Sequence, residues 1–379
     1  MRSVSSTIAP IPFITDMNEN YFCVIMAGGV GSRFWPVSKT SHPKQFIDIL
    51  GTGETLLQQT FKRFEKICPK QNIFVVTSDL YKELVLNQIP GIHESQVLCE
   101  PTRRNTAPCI AYANYRIRQL NPEATIVVAP SDHIILKEDV FLDVIQSALA
   151  AAEKNPWLIT LGIKPNRPDT GYGYIQFVES IPYPADLRMK KVKTFTEKPE
   201  LEMAKFFLQS GEFLWNSGIF IWSMNSILDA FRRYLEEVDS IFQQGEGKYG
   251  TKAEEDFIRK AYAICKNISI DYGIMEKADN VFVLASDFGW SDLGTWGSLY
   301  EHRPKDEQGN SVIGNQVMTY NTHQCVIHLP DEKLAVIQGL DDYIVVESEG
   351  ILLICRKEDE QMIRQFVNDV RDNIGEKYI

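Results

Sequence analysis

The chain has no long apolar run, no excess of positive charge and no paired-cysteine motif, and it contains only six histidines. Each shortage excludes something. No stretch reaches the roughly 18 apolar residues of a membrane-spanning helix, so no membrane partner is expected. A net charge of −11 leaves no basic face for a polyphosphate backbone, so nucleic acid is not expected either. A small anionic ligand, which needs only a few local cations, stays open. The seven cysteines (Cys23, Cys68, Cys99, Cys109, Cys265, Cys325 and Cys355) are odd in number and show no Cys-x-x-Cys spacing. That pattern favours buried free thiols in a reducing, cytoplasmic setting over a zinc site or a disulfide framework. Residues 1–20 lack the pattern of a signal peptide: Pro10 and Pro12 break the apolar stretch, and Asp16 and Glu19 follow. They read as a disordered leader, with Met17 a candidate natural start.

What is present is ordinary for a globular protein of more than one typical domain: 379 residues, 44% hydrophobic and 23% charged. Tyr21 to Met26 is a continuous apolar run that ends in Ala27-Gly28-Gly29. It reads as a buried parallel strand entering a loop. Further runs at 73–77, 124–129 and 157–161 alternate with helical patterns at about 55–68, 79–89, 106–119 and 138–154. This alternation predicts an α/β fold with a mostly parallel, Rossmann-like sheet. From about 170 to 300 the alternation loosens into short strands (173–178, 191–196, 218–223) and helices (225–243, 252–264), as in an elaborated half of the same domain. After 310, short β runs separated by turn signals predict a small all-β module, closed by a helix at about 357–375. The expected organisation is a leader (1–20), a catalytic domain (21–310) and a β module with its helix (311–379).

The loop after the first run, Ala27 through Gly28, Gly29 and Gly31 to Arg33, allows a ligand to approach the backbone closely and turns N–H groups toward phosphate oxygens. It is not a P-loop, because Gly31 is followed by Ser32-Arg33 where Lys-Ser/Thr is required. Nor is it a dinucleotide fingerprint, because Phe34 occupies the third glycine position. Arg33 and Lys44 supply two cations close to this nest, as a triphosphate requires.

The chain resembles the sugar-1-phosphate nucleotidyltransferases, and within them the mannose-1-phosphate guanylyltransferases. The resemblance covers about residues 22–300 and is carried by ordered segments. They are the glycine loop, Pro43-Lys-Gln-Phe46, Glu100-Pro-Thr-Arg-Arg-Asn-Thr-Ala-Pro108, Pro130-Ser-Asp-His133, Thr170-Gly-Tyr-Gly-Tyr174, Phe195-Thr-Glu-Lys-Pro199, Trp215-Asn-Ser-Gly-Ile-Phe220 and Phe288-Gly-Trp-Ser-Asp-Leu-Gly294. It implies a C-terminal left-handed β-helix. It also implies attack by a sugar phosphate oxygen on the α-phosphorus of a nucleoside triphosphate, with pyrophosphate leaving. A sugar phosphate has its second pKa near ~6 and is already anionic, so no general base is needed. Positioning and charge neutralisation carry the reaction.

The resemblance further assigns roles. Gly28, Gly29 and Gly31 cradle the triphosphate, Arg33 and Lys44 neutralise it, and Lys198 pairs with the sugar phosphate. Asp132 and Asp292 hold Mg²⁺, an ion that prefers one or two carboxylates plus phosphate oxygens. Glu100, with the backbone at Asn105, Thr106 and Ala107, reads guanine, because a carboxylate accepts two parallel donors well. Gly171, Tyr172, Gly173, Glu197 and Asn216 face the sugar. His133 is expected to hydrogen-bond or pack, and Trp215 and Trp222 to lie in the core. The expected substrates are GTP and mannose 1-phosphate. The same chemistry with glucose 1-phosphate and UTP stays open, as does a non-catalytic sugar-nucleotide sensor, although no expected charge is missing. A bifunctional isomerase would need clustered His and Glu ligands, and the residues after 310 offer only His323 and His328. By analogy alone, the β module is a candidate homodimer contact.

Overall fold

A computed structural model describes residues 17–178 and 186–379. The predicted leader lies outside the described residues except for 17–20. Those four do not fit the expectation of disorder: the Asn18 carbonyl accepts from the Tyr21 N–H at 3.0 Å, and the Asn20 carbonyl accepts from Thr125 at 2.8 Å.

Ten strands build the first part of the chain: β1 (Tyr21–Met26), β2 (Ile73–Ser78), β3 (Val97–Glu100), β4 (Thr125–Pro130), β5 (Ile134–Ile135), β6 (Leu158–Ile163), β7 (Gly173–Val178), β8 (Met189–Glu197), β9 (Phe213–Ser223) and β10 (Val281–Ser286). Nine of them, all but β5, form one mixed sheet in the order β3-β2-β1-β4-β9-β6-β10-β8-β7. The β3-β2-β1-β4 half is parallel, and β9 runs antiparallel to both β4 and β6. Along β1 the side chains alternate between two cores. Phe22 and Val24 join Phe74, Val76, Ile126 and Val128 on the face covered by helix Thr106–Leu120. Cys23 and Ile25 join Ile73, Val75 and Val127 on the face covered by helices Leu56–Phe64 and Glu138–Lys154. Burial on both faces explains why these strands read as unbroken apolar runs. All seven cysteines are unpaired, and six are buried.

The helix expected at 225–243 is two helices, Met224–Tyr234 and Glu236–Gln243, divided where Leu235 leaves helical geometry. No helix among the described residues is long and apolar enough to cross a membrane.

A two-residue strand, β11 (Trp290–Ser291), pairs with β5 away from the main sheet. The C-terminal module stacks β12 (Ser311–Ile313), β14 (Val326–His328) and β16 (Tyr343–Ser348) in parallel, with β13 (Val317–Tyr320) and β15 (Ala335–Gln338) as a second parallel wall and β17 (Ile351–Arg356) closing antiparallel. This is a short β-helix. The closing helix is shorter than expected, Ile363–Asn373, preceded by 3-10 turns at Lys357–Met362. A third core joins the two parts: Phe34, Trp35 and Trp296 pack with Val326, Ile344, Ile363 and Val367.

Candidate active site

The chain leaves β1 toward β2 on one side, and β4 sits on the other. The carboxyl ends of β1 and β4 therefore flank a crevice, the usual ligand position in such sheets. The Ser131 N–H donates to the Met26 carbonyl at 3.0 Å, which holds the two following loops side by side.

The first loop is fixed through its carbonyls. The Gln45 amide donates to the oxygens of Ala27 at 2.9 Å and Gly29 at 2.8 Å, and the Ser38 hydroxyl donates to Val30 at 2.6 Å. Among the described residues no acceptor meets the backbone N–H of Gly28, Gly29, Val30, Gly31, Ser32 or Arg33. Six consecutive unfilled donors form an anion nest. Gly31 is required there: its φ is +69°, and a Cβ would stand 2.7 Å from the Cβ of Lys44. Arg33 lies on the 3-10 turn Ser32–Phe34, and among the described residues its side chain has no hydrogen-bond or ion-pair partner.

Lys44 is buried and sits at the centre of the crevice. Its Nζ is 2.9 Å from Asp132 Oδ2, 2.7 Å from the Leu293 carbonyl and 3.2 Å from the Asp292 carbonyl. The segments carrying the two distant aspartates are brought together because β5 and β11 pair, Ser291 opposite Ile134, just after Asp132 and just before Asp292. Burial is the largest single influence and works against an ionised Asp132, but the combined pull of the Lys44 ammonium, His133 and hydrogen bonds holds that carboxyl below its usual range. Asp292 accepts at Oδ1 from the Tyr172 hydroxyl at 2.7 Å and from the Gly294 N–H at 3.1 Å. Its Oδ2 faces space that a Cβ on Gly294 would fill, at 2.7 Å. Two carboxylates, one with an oxygen kept clear by a glycine, fit a hard divalent cation that takes its remaining ligands from phosphates and water. His133 accepts at Nδ1 from the Trp290 indole at 3.1 Å, which fits the expected hydrogen-bonding role.

Glu100 ends β3 and is 7% exposed. Oε1 accepts from the Tyr262 hydroxyl at 2.9 Å, and Oε2 lies 3.3 Å from where a Gly28 Cβ would be. Burial pushes its pKa up to about 7, against the opposing pull of Tyr262 and Arg103. The neighbouring backbone does not serve as expected. The Thr106 N–H is held by the Asn105 side chain, the Thr106 hydroxyl accepts from Ile270, and the buried Ala107 donates its N–H to Ile268. These groups start the helix and anchor it to the 268–270 segment, so Thr106 and Ala107 have no backbone donor left for a base. Asn105, at φ +67°, stays exposed.

The third group gathers on the antiparallel half of the sheet. Gly173 pairs with Glu197 between β7 and β8, and its missing side chain makes room for Glu197 Oε2 and Asn216. Register slips between β6 and β9, and Gly218 at φ +70° follows Asn216. Bulges of this kind re-aim side chains. The Asn216 Oδ1 accepts from Thr160 at 3.0 Å, and its Nδ2 donates to Asp271 at 2.9 Å. Gly171 is exposed and donates its N–H to Asp169. Lys198 is half exposed, and its ammonium pairs with Glu197. Trp222 is fully buried and Trp215 is 3% exposed, so both lie in the core as expected.

Three residues escaped the sequence reading. Gln45 pins the loop, Tyr262 holds Glu100, and Asp271 stands beside Asn216 with its pKa pushed up to about 6 by burial and by the Glu197 charge. Only Gln45 carried a signal, as the neighbour of Lys44. Tyr262 and Asp271 reach the site by folding alone.

Residues 22–309 match the nucleotidyl transferase family model, and residues 314–370 match a MannoseP isomerase/GMP-like β-helix domain. The chain belongs to the nucleotidyl transferase family. Its relatives include mannose-1-phosphate guanylyltransferases of Escherichia coli, 32% identical, covering 93% of this chain and 76% of that protein, and of Salmonella montevideo, 35% identical, covering 92% and 73%. Among solved structures, the mannose-1-phosphate geranyltransferase of Thermus thermophilus superposes with a TM-score of 0.81 at 27% identity, covering 93% of this chain and 99% of that one. In this chain the nest, Lys44 and the two aspartates lie beyond the carboxyl ends of β1 and β4.

Proposed function

We propose that the chain transfers GMP from GTP to α-D-mannose 1-phosphate, giving GDP-mannose and pyrophosphate. The observation that carries this reading is the unfilled nest at residues 28–33 beside buried Lys44, with Glu100 opening onto the same loop. The names of the relatives agree with it.

The nucleophile is an oxygen of the sugar phosphate, anionic at neutral pH, so the protein has no proton to abstract and its task is to position the reactants. The nest and Arg33 take the triphosphate, and Lys44 balances the charge gathered between the aspartates. The Glu100 carboxylate accepts guanine N1–H and N2–H₂, and ATP offers no such pair. Gly173, Glu197 and Asn216 form the sugar wall, and Tyr172 orients Asp292. Lys198, already on Glu197, reaches the sugar phosphate from the rim. Asp132 and Asp292 would hold Mg²⁺, which when bound neutralises phosphate charge and aligns attacking and leaving oxygens.

The deciding experiment measures pyrophosphate release with Mg²⁺ for GTP, ATP, UTP and dTTP, each with mannose 1-phosphate or glucose 1-phosphate. Turnover is expected to be fastest for GTP with mannose 1-phosphate. No turnover with any pair overturns the enzyme reading, and preference for UTP overturns the Glu100 argument.

A further inference from the structure

A cleft of about 220 Å³ opens beside the glycine loop. Val30 and Ser32 of the loop form one wall, and Val367 and Arg371 of the C-terminal helix form the other. Three cations line it: Lys39, Arg103 and Arg371. They are not equally available. The Lys39 ammonium is 2.6 Å from Glu349 and already balanced. Arg103 donates to the Tyr81 hydroxyl at 3.0 Å, and Arg371 donates to the Asn368 side-chain oxygen at 3.3 Å. Both partners are neutral, so among the described residues neither guanidinium forms an ion pair; Ile379, at the end of the sequence, lines the same cleft. Two exposed arginines without an ion pair share one cleft with Val30 and Ser32, two of the six loop residues whose N–H groups are unfilled, and such a grouping suits an anion.

We propose that this cleft binds a diphosphate, gripped by Arg103 and Arg371. While the triphosphate is bound, the diphosphate is its β- and γ-phosphates; after transfer it is the pyrophosphate product. The β-helix module then does more than pack against the catalytic domain: its closing helix contributes a ligand-binding residue. The inference rests on the nucleoside triphosphate reading above, and it adds a binding group from outside residues 22–309.

Two measurements test it. The first is calorimetric titration of the full chain with inorganic pyrophosphate, which needs no turnover. Saturable binding is expected, weakened about tenfold in Arg371→Gln and in Arg103→Gln, the loss typical of one charge-assisted hydrogen bond. The second is steady-state kinetics in both directions. KM for GTP and for pyrophosphate should each rise about tenfold, KM for GDP-mannose should change less than twofold, and Arg371→Lys should recover part of the loss. Unchanged pyrophosphate binding in both variants overturns the proposal. So does an equal rise in every KM with a lowered unfolding midpoint, because that pattern means the helix only supports the loop. Pyrophosphate binding that responds to both arginines in a wild-type chain with no turnover keeps the cleft and removes the transferase reading. Turnover with pyrophosphate binding indifferent to both arginines does the reverse.

Discussion

Glu100 is a carboxyl whose burial costs it ionisation, and its task needs the ionised form. Its pKa is about 7 without ligand. A protonated carboxyl offers one acceptor fewer to guanine, so GTP binding strengthens as pH rises through that value. KM for GTP is expected to fall between about pH 6 and pH 8 and then level off, and Glu100→Gln should flatten the profile. The same substitution should lower the preference for GTP over ATP by about tenfold or more, the scale of one bidentate base contact. A wild-type profile identical to that of the glutamine variant would remove Glu100 from base reading. Gly173 gives a second test at this scale. A Cβ there would stand 2.4 Å from Glu197 Oε2, so Gly173→Ala must displace a proposed sugar ligand. KM for mannose 1-phosphate should rise at least several-fold with KM for GTP little changed. Equal effects on both substrates would place the residue elsewhere in the mechanism.

The charges of the crevice depend on paired segments. The two-residue ribbon of β5 and β11 brings the segment of Asp292 to that of Asp132, and Lys44 is seated against both. Lys44→Met should lower kcat by about 10²- to 10³-fold, the range for removing a preorganised charge or donor. Lys44→Arg should not restore it, because the planar fork does not fit a buried site shaped for a single ammonium at 2.7–3.2 Å from three oxygens. Substantial rescue by arginine, read as kcat, would contradict that fit. This scale also shows what the sequence could disclose. β1, β2 and β4 were legible because burial on both faces leaves unbroken apolar runs. The glycine loop was legible from its three glycines, of which Gly31 is demanded by its left-handed φ and its contact with Lys44. The use of Thr106 and Ala107 was not, because their donors are taken by Asn105 and Ile268 across a contact that no local pattern encodes. The break at Leu235 was hidden for a similar reason: 225–243 keeps its apolar stripe through both helices, and tertiary packing of Leu235 into the main core sets the boundary.

At the scale of the whole molecule, the β-helix and the triphosphate loop share one core. Phe34 and Trp35 follow the nest directly, and they pack with Ile363 and Val367 of the closing helix. The Trp35 indole donates to the Tyr378 carbonyl at 2.7 Å, and Glu360 accepts from the Gly297 N–H at 2.7 Å. Damage to this seam should therefore reach the nest. Ile363 is fully buried, and Ile363→Ala is expected to cost about 2–5 kcal/mol through lost transfer energy and the cavity left behind. A matched cavity separates stability from coupling. Leu149 is equally buried but lies in the core on the opposite side of the sheet from helix Thr106–Leu120, and Leu149→Ala should cost about as much. The two variants should unfold at similar denaturant concentrations, yet only Ile363→Ala should raise KM for GTP, because only that cavity adjoins Phe34 and Trp35. If both variants raise KM equally, the effect is general loosening. If neither does, the loop is held by Gln45 and Ser38 alone, and the shared core supports the fold without tuning the site.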